Sequence, residues 1–500
     1  MEIKRTFDFL DHVLENYPKE DTYAVKRHGK WEKFSAVEVK QKADLVSCAL
    51  IEMGLKKGDK IATVSNNRPE WNILDFGMEQ IGVIHVPVYP TISEKEYEHI
   101  LSHSESRIVF VSSKERYDFI KPIVEKIKSF DRIYTFDHLD NTQSFEDILK
   151  LGEQVKDKHK DKLKEMRDAI GENDLSSIIY TSGTTGLSKG VMITHKNFVS
   201  NVNDSRVAIP KGTELSVSFL PINHVFERML NYLFFSSGVR IYYAESMETI
   251  INDIKEVKPD IFAAVPRIFE RVYDTIYGKG LALKGIKKFI FFWALRLGQK
   301  YDPTIKQSFI YNKKLKLANK LVFVKWREAL GGNIKAVVSG GAALQPRLAK
   351  VFGAAGILVL EGYGLTETSP VIAVNREDNM QPGTVGQILD TAEVKIAEDG
   401  EILFKGPNLM PGYYKDPAKT KEVIDSEGWF HTGDTGQLNG KILKITGRKK
   451  EIFKLSTGKY VAPELIENKM KESPFIEQLM TVGEGEKYTA ATSIAIISIH

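Results

Sequence analysis

Eleven residues from Tyr180 to Gly190, YTSGTTGLSKG, gather three glycines (Gly183, Gly186, Gly190), five aliphatic hydroxyls (Thr181, Ser182, Thr184, Thr185, Ser188) and one amine, Lys189. Glycines let the backbone turn tightly and bring N–H groups close to an anion. Hydroxyls add donors, and Lys189 adds a point charge suited to phosphate. The preceding DLSSIIY reads as a short buried strand (Ile178, Ile179, Tyr180), and apolar Val191, Met192 and Ile193 follow. A strand, a Gly/Ser/Thr loop and a return to structure is the layout of a phosphate cradle; the alternative is a flexible surface turn. The spacing is not that of the P-loop, Gly-x-x-x-x-Gly-Lys-Ser/Thr. Here Gly190 follows Lys189 where the magnesium-binding hydroxyl belongs, which disfavours a nucleoside-triphosphatase of that kind.

Three later runs could serve the same ligand. SGGAAL (Ser339 to Leu344) holds Gly340, Gly341 and Ala342 and allows close approach to a flat ring. EGYGLTET (Glu361 to Thr368) sets the aromatic Tyr363 beside Gly364, the Thr366 hydroxyl and the Glu367 carboxylate, a hard oxygen ligand of the kind Mg2+ prefers. GWFHTGD (Gly428 to Asp434) supplies Asp434, which can accept two hydrogen bonds from ribose hydroxyls. Singly, GYG or TGD reads as a simple turn; their order along one chain carries the signal.

Apolar runs alternating with helical spacing must position these residues. KIATVSNN, GVIHVPVYP, RIVFVSS, SVSFLP, DIFAAVP, IKAVVSGG and GILVLEGYG read as buried strands. WNILDFGMEQIG and KEYEHILSHS read as helices between them. Such alternation predicts parallel sheets covered by helices, with ligands at the loops that follow strands. The charged stretch from Phe145 reads as an exposed helix with a solvated face. After about residue 383 the texture changes to short β pieces with turns at Glu398-Asp399-Gly400 and Asn439-Gly440, predicting a smaller β subdomain. Gly447-Arg448-Lys449-Lys450 then introduces a new α/β segment.

Five hundred residues exceed one hydrophobic core. At 42% hydrophobic, 27% charged and a net charge of +4, the chain has ordinary globular composition and lacks the concentrated basic stripe of a nucleic-acid binder. The single cysteine, Cys48, suits a reducing cytosol, so a cytoplasmic location is expected. No run reaches the roughly eighteen apolar residues of a membrane span. GIKKFIFFWALRLGQK, residues 285 to 300, has an aromatic, apolar centre and basic flanks. It fits a helix packed on the domain body or one lying on the inner face of a membrane.

In this order the runs resemble the signatures of adenylate-forming (AMP-binding) enzymes: acyl-CoA synthetases, luciferases and peptide-synthetase adenylation domains. LPINHVFER (Leu220 to Arg228), VPVYPTIS, AVPRIFERVYD and LSTGKYVAPELIEN resemble long-chain fatty acyl-CoA synthetases most. The resemblance implies an α/β fold: a large N-terminal domain, 1–447, of two doubly wound α/β subdomains plus a small β-barrel-like subdomain, then an incomplete α+β C-terminal domain, 448–500. It implies ATP, Mg2+ and CoA, with a fatty acid as substrate and a homodimer as one candidate assembly. It gives the loop residues Thr181, Ser182, Gly183, Thr184, Thr185, Gly186 and Lys189 to the phosphates. It gives Gly340, Gly341 and Ala342 to the adenine pocket, Tyr363 to adenine stacking, Gly364 beside it to nucleotide binding, and Thr366 to the α-phosphate. Glu367 and Thr184 go to Mg2+, Asp434 and Arg448 to the ribose, Lys450 to a hinge, and His224 to a place near the acyl carboxylate. For His224 a core histidine is the alternative.

The resemblance breaks off near the C-terminus, where TSIAIISIH replaces a further stretch carrying a lysine that the family uses in adenylation. A fragment or frame-shifted product and a natural short form both fit, and impaired adenylation is expected of either. A non-catalytic nucleotide or acyl-adenylate binder, and an adenylation enzyme loading a carrier protein, are the other functional readings.

Overall fold

In the computed structural model, residues 2–183, 186–471, 473 and 476–495 are described. Two sheets carry the site. The first is six-stranded, in the order Arg132–Thr135, Ile108–Val111, Lys60–Val64, Ile84–Val88, Leu175–Gly183, Gly186–Thr194. Its first five strands run parallel, and the last folds back antiparallel on the fifth. The glycine-rich run is therefore a long β-hairpin rather than a loop after a short strand. Gly183 pairs with Gly186; Thr184 and Thr185 lie outside the described residues. Strand Gly186–Thr194 leads directly into helix His195–Ser205, because Thr194 and Asn197 form a reciprocal cap, Asn197 N–H to Thr194 Oγ1 at 3.2 Å and Thr194 N–H to Asn197 Oδ1 at 2.9 Å.

The second sheet has thirteen strands among the described residues. Its parallel core runs Leu358–Gly364, Ala336–Ser339, Ile261–Ala264, Leu215–Ser218, Arg240–Tyr243, Tyr23–Arg27. Six antiparallel strands extend it beyond Leu358–Gly364, ending with Phe430–Asn439, Glu401–Lys405 and Glu393–Ile396. The predicted small β subdomain is thus a continuation of this sheet and stays open. It also begins earlier than residue 383: Val371–Val374 already pairs antiparallel with Gly362 to Gly364. All four of its residues are buried, so its sequence reads like a parallel core strand.

Helices cover both sheets, and a buried ion cluster joins them. Arg228, on helix Val225–Ser236, pairs with Asp75 at 2.6 Å and Glu79 at 3.5 Å on helix Pro69–Glu79, and donates to Ser177 Oγ of the hairpin at 2.6 Å. All of these side chains are fully enclosed. Removing one partner of such a set costs about 3–5 kcal/mol, because the remainder is left as uncompensated buried charge. The cluster therefore fixes how the hairpin sits against the helices.

The first of two helices read from sequence is less exposed than expected, and the second packs on the domain body, one of its two readings. Helix Phe145–Asp168 buries Phe145, Ile148, Gly152 and Leu163, and Gly152 lets it approach the Leu45 carbonyl on helix Ala36–Glu52; only its other face is solvated. Helix Gly285–Gln299 packs Phe291, Ala294, Leu295 and Gly298 inward and leaves Ile286 and Phe289 exposed. Beyond Arg448 the chain forms helix Pro463–Met470 and two small two-stranded sheets, Phe453–Lys454 with Tyr460–Val461 and Ile476–Val482 with Ala490–Ala495. Ile494 is paired there; Ile496, Ile497 and Ile499 fall outside the described residues.

Candidate active site

A cleft of about 960 Å3 opens where the hairpin of the first sheet meets the strand ends of the second. Its polar end is lined by Thr181, Lys189, Gly340, Gly341, Tyr363, Gly364, Thr366, Glu367, Asp434, Arg448 and Lys450. Its apolar limb is lined by Ala208 and Ile209, just past helix His195–Ser205, and by Met229, Leu230, Leu233 and Phe234 of helix Val225–Ser236.

Strand alternation decides which signature residues reach the cleft. Lys189 pairs across the hairpin with Thr181, and both face the cleft. Ser188, one residue away, points to the opposite face, where its Oγ donates to Glu96 at 3.4 Å. Tyr180 and Gly190 share that outer face: the Tyr180 hydroxyl bonds His103 Nδ1 at 2.8 Å, and a Cβ on Gly190 would sit 2.8 Å from Ile178. His99 Nε2 donates to the Ser188 carbonyl at 2.9 Å and braces the same strand. Ser188 thus supports the hairpin instead of adding a cradle donor. Ser182 and Gly183 end the first hairpin strand and Gly186 begins the second.

Glu367 and Lys189 meet at a residue that sequence reasoning missed. The Tyr413 hydroxyl donates to Glu367 Oε1 at 2.8 Å, and Lys189 Nζ lies 4.6 Å from the centre of the Tyr413 ring. Burial, then the Glu367 charge, pushes the Tyr413 phenol up, so it remains a donor. Tyr413 is held in place because Met192 N–H bonds the Gly412 carbonyl and Tyr414 N–H bonds the Gly190 carbonyl, adding this segment to the hairpin edge. The PGYYKD run carries no assignment in the sequence reading; a glycine beside two tyrosines was the available signal. Among the described residues no group of three or more His, Cys, Asp or Glu gathers to hold a metal. A lone Glu367 carboxylate at the phosphate end nevertheless fits Mg2+, which is commonly held by one or two carboxylates together with substrate phosphates. Thr184, the second predicted metal ligand, and Thr185 lie outside the described residues.

The opposite wall is built from the second sheet. Ser339 pairs with Glu361, so Gly340 and Gly341 leave one strand beside the last residues of its neighbour, which include Tyr363. Gly364 is required, since a Cβ there would lie 1.7 Å from the Pro370 carbonyl oxygen. Tyr363 O–H donates to Asp434 Oδ2 at 2.7 Å, and Arg448, paired with Asp434 in register, brings Nε to 3.5 Å from Asp434 Oδ1. Desolvation raises the Asp434 pKa, with the Tyr363 bond and the Arg448 charge opposing it. Lys449 turns away from this pair to Glu401 at 2.8 Å. Ala342 is exposed and does not line the cleft. Behind the wall, Glu361 is buried with Oε1 unpartnered, and desolvation lifts its pKa to about 8.

His224 lies on the cleft, not in the core. It caps helix Val225–Ser236, its Nδ1 accepting from Phe226 N–H at 3.1 Å. Water reaches its ring from the cleft, yet the walls enclose it, and that desolvation lowers its pKa. A neutral imidazole with Nδ1 engaged presents Nε2–H as a donor.

A family model described as AMP-binding enzyme matches residues 10–414. The long-chain-fatty-acid–CoA ligase FadD15 of Mycobacterium bovis is 31% identical over 93% of this chain and 77% of its own length. Fatty acyl-CoA synthetase A of Dictyostelium discoideum is 33% identical over 89% and 68%. The crystal structure of the anthranilate CoA ligase AuaEII with anthranoyl-AMP superposes with a TM-score of 0.75, at 18% identity, over 98% of this chain and 87% of that one. The adenylation domain of a Mycobacterium chelonae carboxylate reductase gives 0.73 at 21% identity over 98% and 79%.

Proposed function

The chain belongs to the AMP-binding enzyme family, and from that premise we propose that it is an acid–thiol ligase converting a long-chain fatty acid to acyl-AMP and then acyl-CoA. The observation that carries the reading is the two-ended cleft, with phosphate and ribose groups at one end and an apolar limb at the other. A carboxylate at the junction of the two ends would lie near His224, its alkyl chain along Met229, Leu230, Leu233 and Phe234. In the first step a carboxylate oxygen bonds the α-phosphorus of ATP, and the bond to the bridging oxygen of pyrophosphate breaks. In the second, CoA thiolate bonds the acyl carbon and the C–O bond to AMP breaks.

Such chemistry rests on positioning and charge neutralisation. Lys189, Thr181 and the hairpin N–H groups hold the triphosphate, and Thr366 meets the α-phosphate. Gly340, Gly341 and Tyr363 receive adenine, and Asp434 with Arg448 receives the ribose. Mg2+ on Glu367 supplies neutralisation of phosphate charge when bound, and Tyr413 orients that carboxylate. We place the division at 447/448 and the hinge at Lys450, where the cleft-lining strand has ended and separate small sheets begin. Hydrogen exchange across 449–452 that does not differ between ATP-bound and CoA-bound protein would remove the hinge.

The test is ATP–pyrophosphate exchange in the 500-residue chain with palmitate, acetate and benzoate, then thioester formation with CoA. Palmitate-dependent exchange is expected. Exchange with acetate or benzoate alone defeats the long-chain assignment, and ATP binding without exchange favours a nucleotide-binding protein. The rate also measures whether adenylation is impaired.

A further inference from the structure

We propose that Ser205 is a hydroxyl-recognition point at the far end of the apolar limb, so that the acids taken by this chain include long-chain acids hydroxylated toward the end of the chain. The proposal rests on the fatty-acid reading above and narrows its substrate class. Ser205 ends helix His195–Ser205 and borders the limb. It is 3% exposed, and its Oγ meets no hydrogen-bond partner among the described residues. A helical serine can turn its hydroxyl back to the carbonyl one turn earlier. Ser205 leaves that bond to the Asn201 carbonyl unmade. Buried hydroxyls without a partner are uncommon, because each has given up its bonds to water. The neighbours on the limb, Ala208, Ile209, Leu233 and Phe234, carry no polar side-chain atom that could replace them. A polar atom of the substrate can.

Helix packing gives the position along the limb. Phe198 meets Tyr232 edge-on with ring centres 5.3 Å apart, and Arg206 Nη2 donates to Ser236 Oγ at 3.1 Å. Helices His195–Ser205 and Val225–Ser236 therefore run side by side in the same direction, with Ser205 by the C-terminal end of the second. His224 caps the other end of that helix, where the carboxylate would lie. Leu233 and Phe234 are nine and ten residues beyond His224, which is about 14–15 Å at the helical rise. Carbon–carbon bonds of about 1.5 Å at near-tetrahedral angles advance an extended chain roughly 1.25 Å per carbon, so this span takes about twelve carbons. A wholly apolar limb disfavours an added hydroxyl by about a hundredfold. Two hydroxyls, each able to donate and to accept, offset that loss where they meet.

The test is kcat/KM for acid-dependent ATP–pyrophosphate exchange with dodecanoate, ω-hydroxydodecanoate and β-hydroxydodecanoate, in wild type and Ser205→Ala. Wild type should use the ω-hydroxy acid within about threefold of dodecanoate, instead of about a hundredfold worse. Ser205→Ala should lower that ratio about tenfold, because the substrate hydroxyl is then buried without a partner. The ratio of β-hydroxydodecanoate to dodecanoate should stay where it was, since that hydroxyl remains by His224. The variant should keep or exceed the wild-type thermal midpoint, as it removes only an unpartnered buried hydroxyl. A hundredfold bias against the ω-hydroxy acid in wild type, a ratio that Ser205→Ala leaves unchanged, or equal losses for both hydroxy acids overturns the proposal, while dodecanoate exchange leaves the fatty-acid reading standing. No exchange with any of the three acids also overturns it, and palmitate then decides whether the fatty-acid reading falls as well.

Discussion

The two walls of the cleft are made differently. On the second-sheet wall, Asp434 accepts from Tyr363 and pairs with Arg448 of the neighbouring strand, and it is largely buried. That wall is set before any ligand arrives. On the hairpin wall, Lys189 rests on the Tyr413 ring and projects from a hairpin braced from its outer face by His99 and His103. The first wall can fix a sugar and a base by preformed geometry, whereas the second supplies charge that a polyphosphate must complete. Binding and turnover should therefore fail separately when each is damaged.

The largest effect is expected at the hairpin. Lys189→Met should lower the pyrophosphate-exchange rate by about 10²–10³-fold, the usual cost of one preorganised charge donor, with the thermal midpoint unchanged. A fall of less than tenfold would mean that Lys189 does not reach the transferring phosphates.

Next is the stability of the preformed wall. Glu361 has its pKa raised by burial from 4.5 to about 8. Its folded form holds a proton that the unfolded chain has released, so its contribution is fully present below pH 4.5 and is lost as pH rises through about 8. Glu227, also raised to about 8 by burial, adds to the same slope. Glu361→Gln should flatten the fall of the unfolding midpoint over that window and stabilise the alkaline protein by on the order of 2 kcal/mol. Parallel profiles for variant and wild type would place the slope elsewhere.

Asp434→Asn should raise the KM for ATP about tenfold with little change in kcat, because a ribose contact is uniform binding. An equal loss in kcat would move Asp434 into the chemical step. Smallest is Tyr413→Phe, which keeps the ring under Lys189 and removes the bond to Glu367. The Mg2+ concentration for half-maximal exchange should rise about three- to fivefold, in keeping with the loss of one hydrogen bond to a carboxylate. An unchanged Mg2+ requirement would show that Tyr413 only packs.

Much of this was legible because each strand is a compact apolar run. Lys60–Val64, Ile84–Val88, Ala336–Ser339 and Leu358–Gly364 lie where their sequences indicate. The edge pair Tyr23–Arg27 and Lys30–Phe34 was not read as strand, since its outer member is mostly exposed and polar. Tyr413 escaped because its partner Glu367 is distant in sequence, and no local pattern marks a pair formed only when the 410–414 segment joins the hairpin edge. Ser188 was grouped with Lys189 by proximity, although alternate residues of a strand face opposite ways.

The sequence by itself determined the chemistry at hand: an amine, hydroxyls, a carboxylate and a ribose-type acid in a fixed order, with strands and helices enough for two α/β layers. Those are properties of residue types and short-range periodicity. Only the tertiary structure decided which of them meet. It turned the glycine-rich run into a hairpin whose inner face alone carries Lys189 and Thr181, placed Asp434 against Tyr363, and brought Tyr413 between Glu367 and Lys189. Each of these depends on strand order and on packing between residues far apart in the chain, which no local spacing encodes.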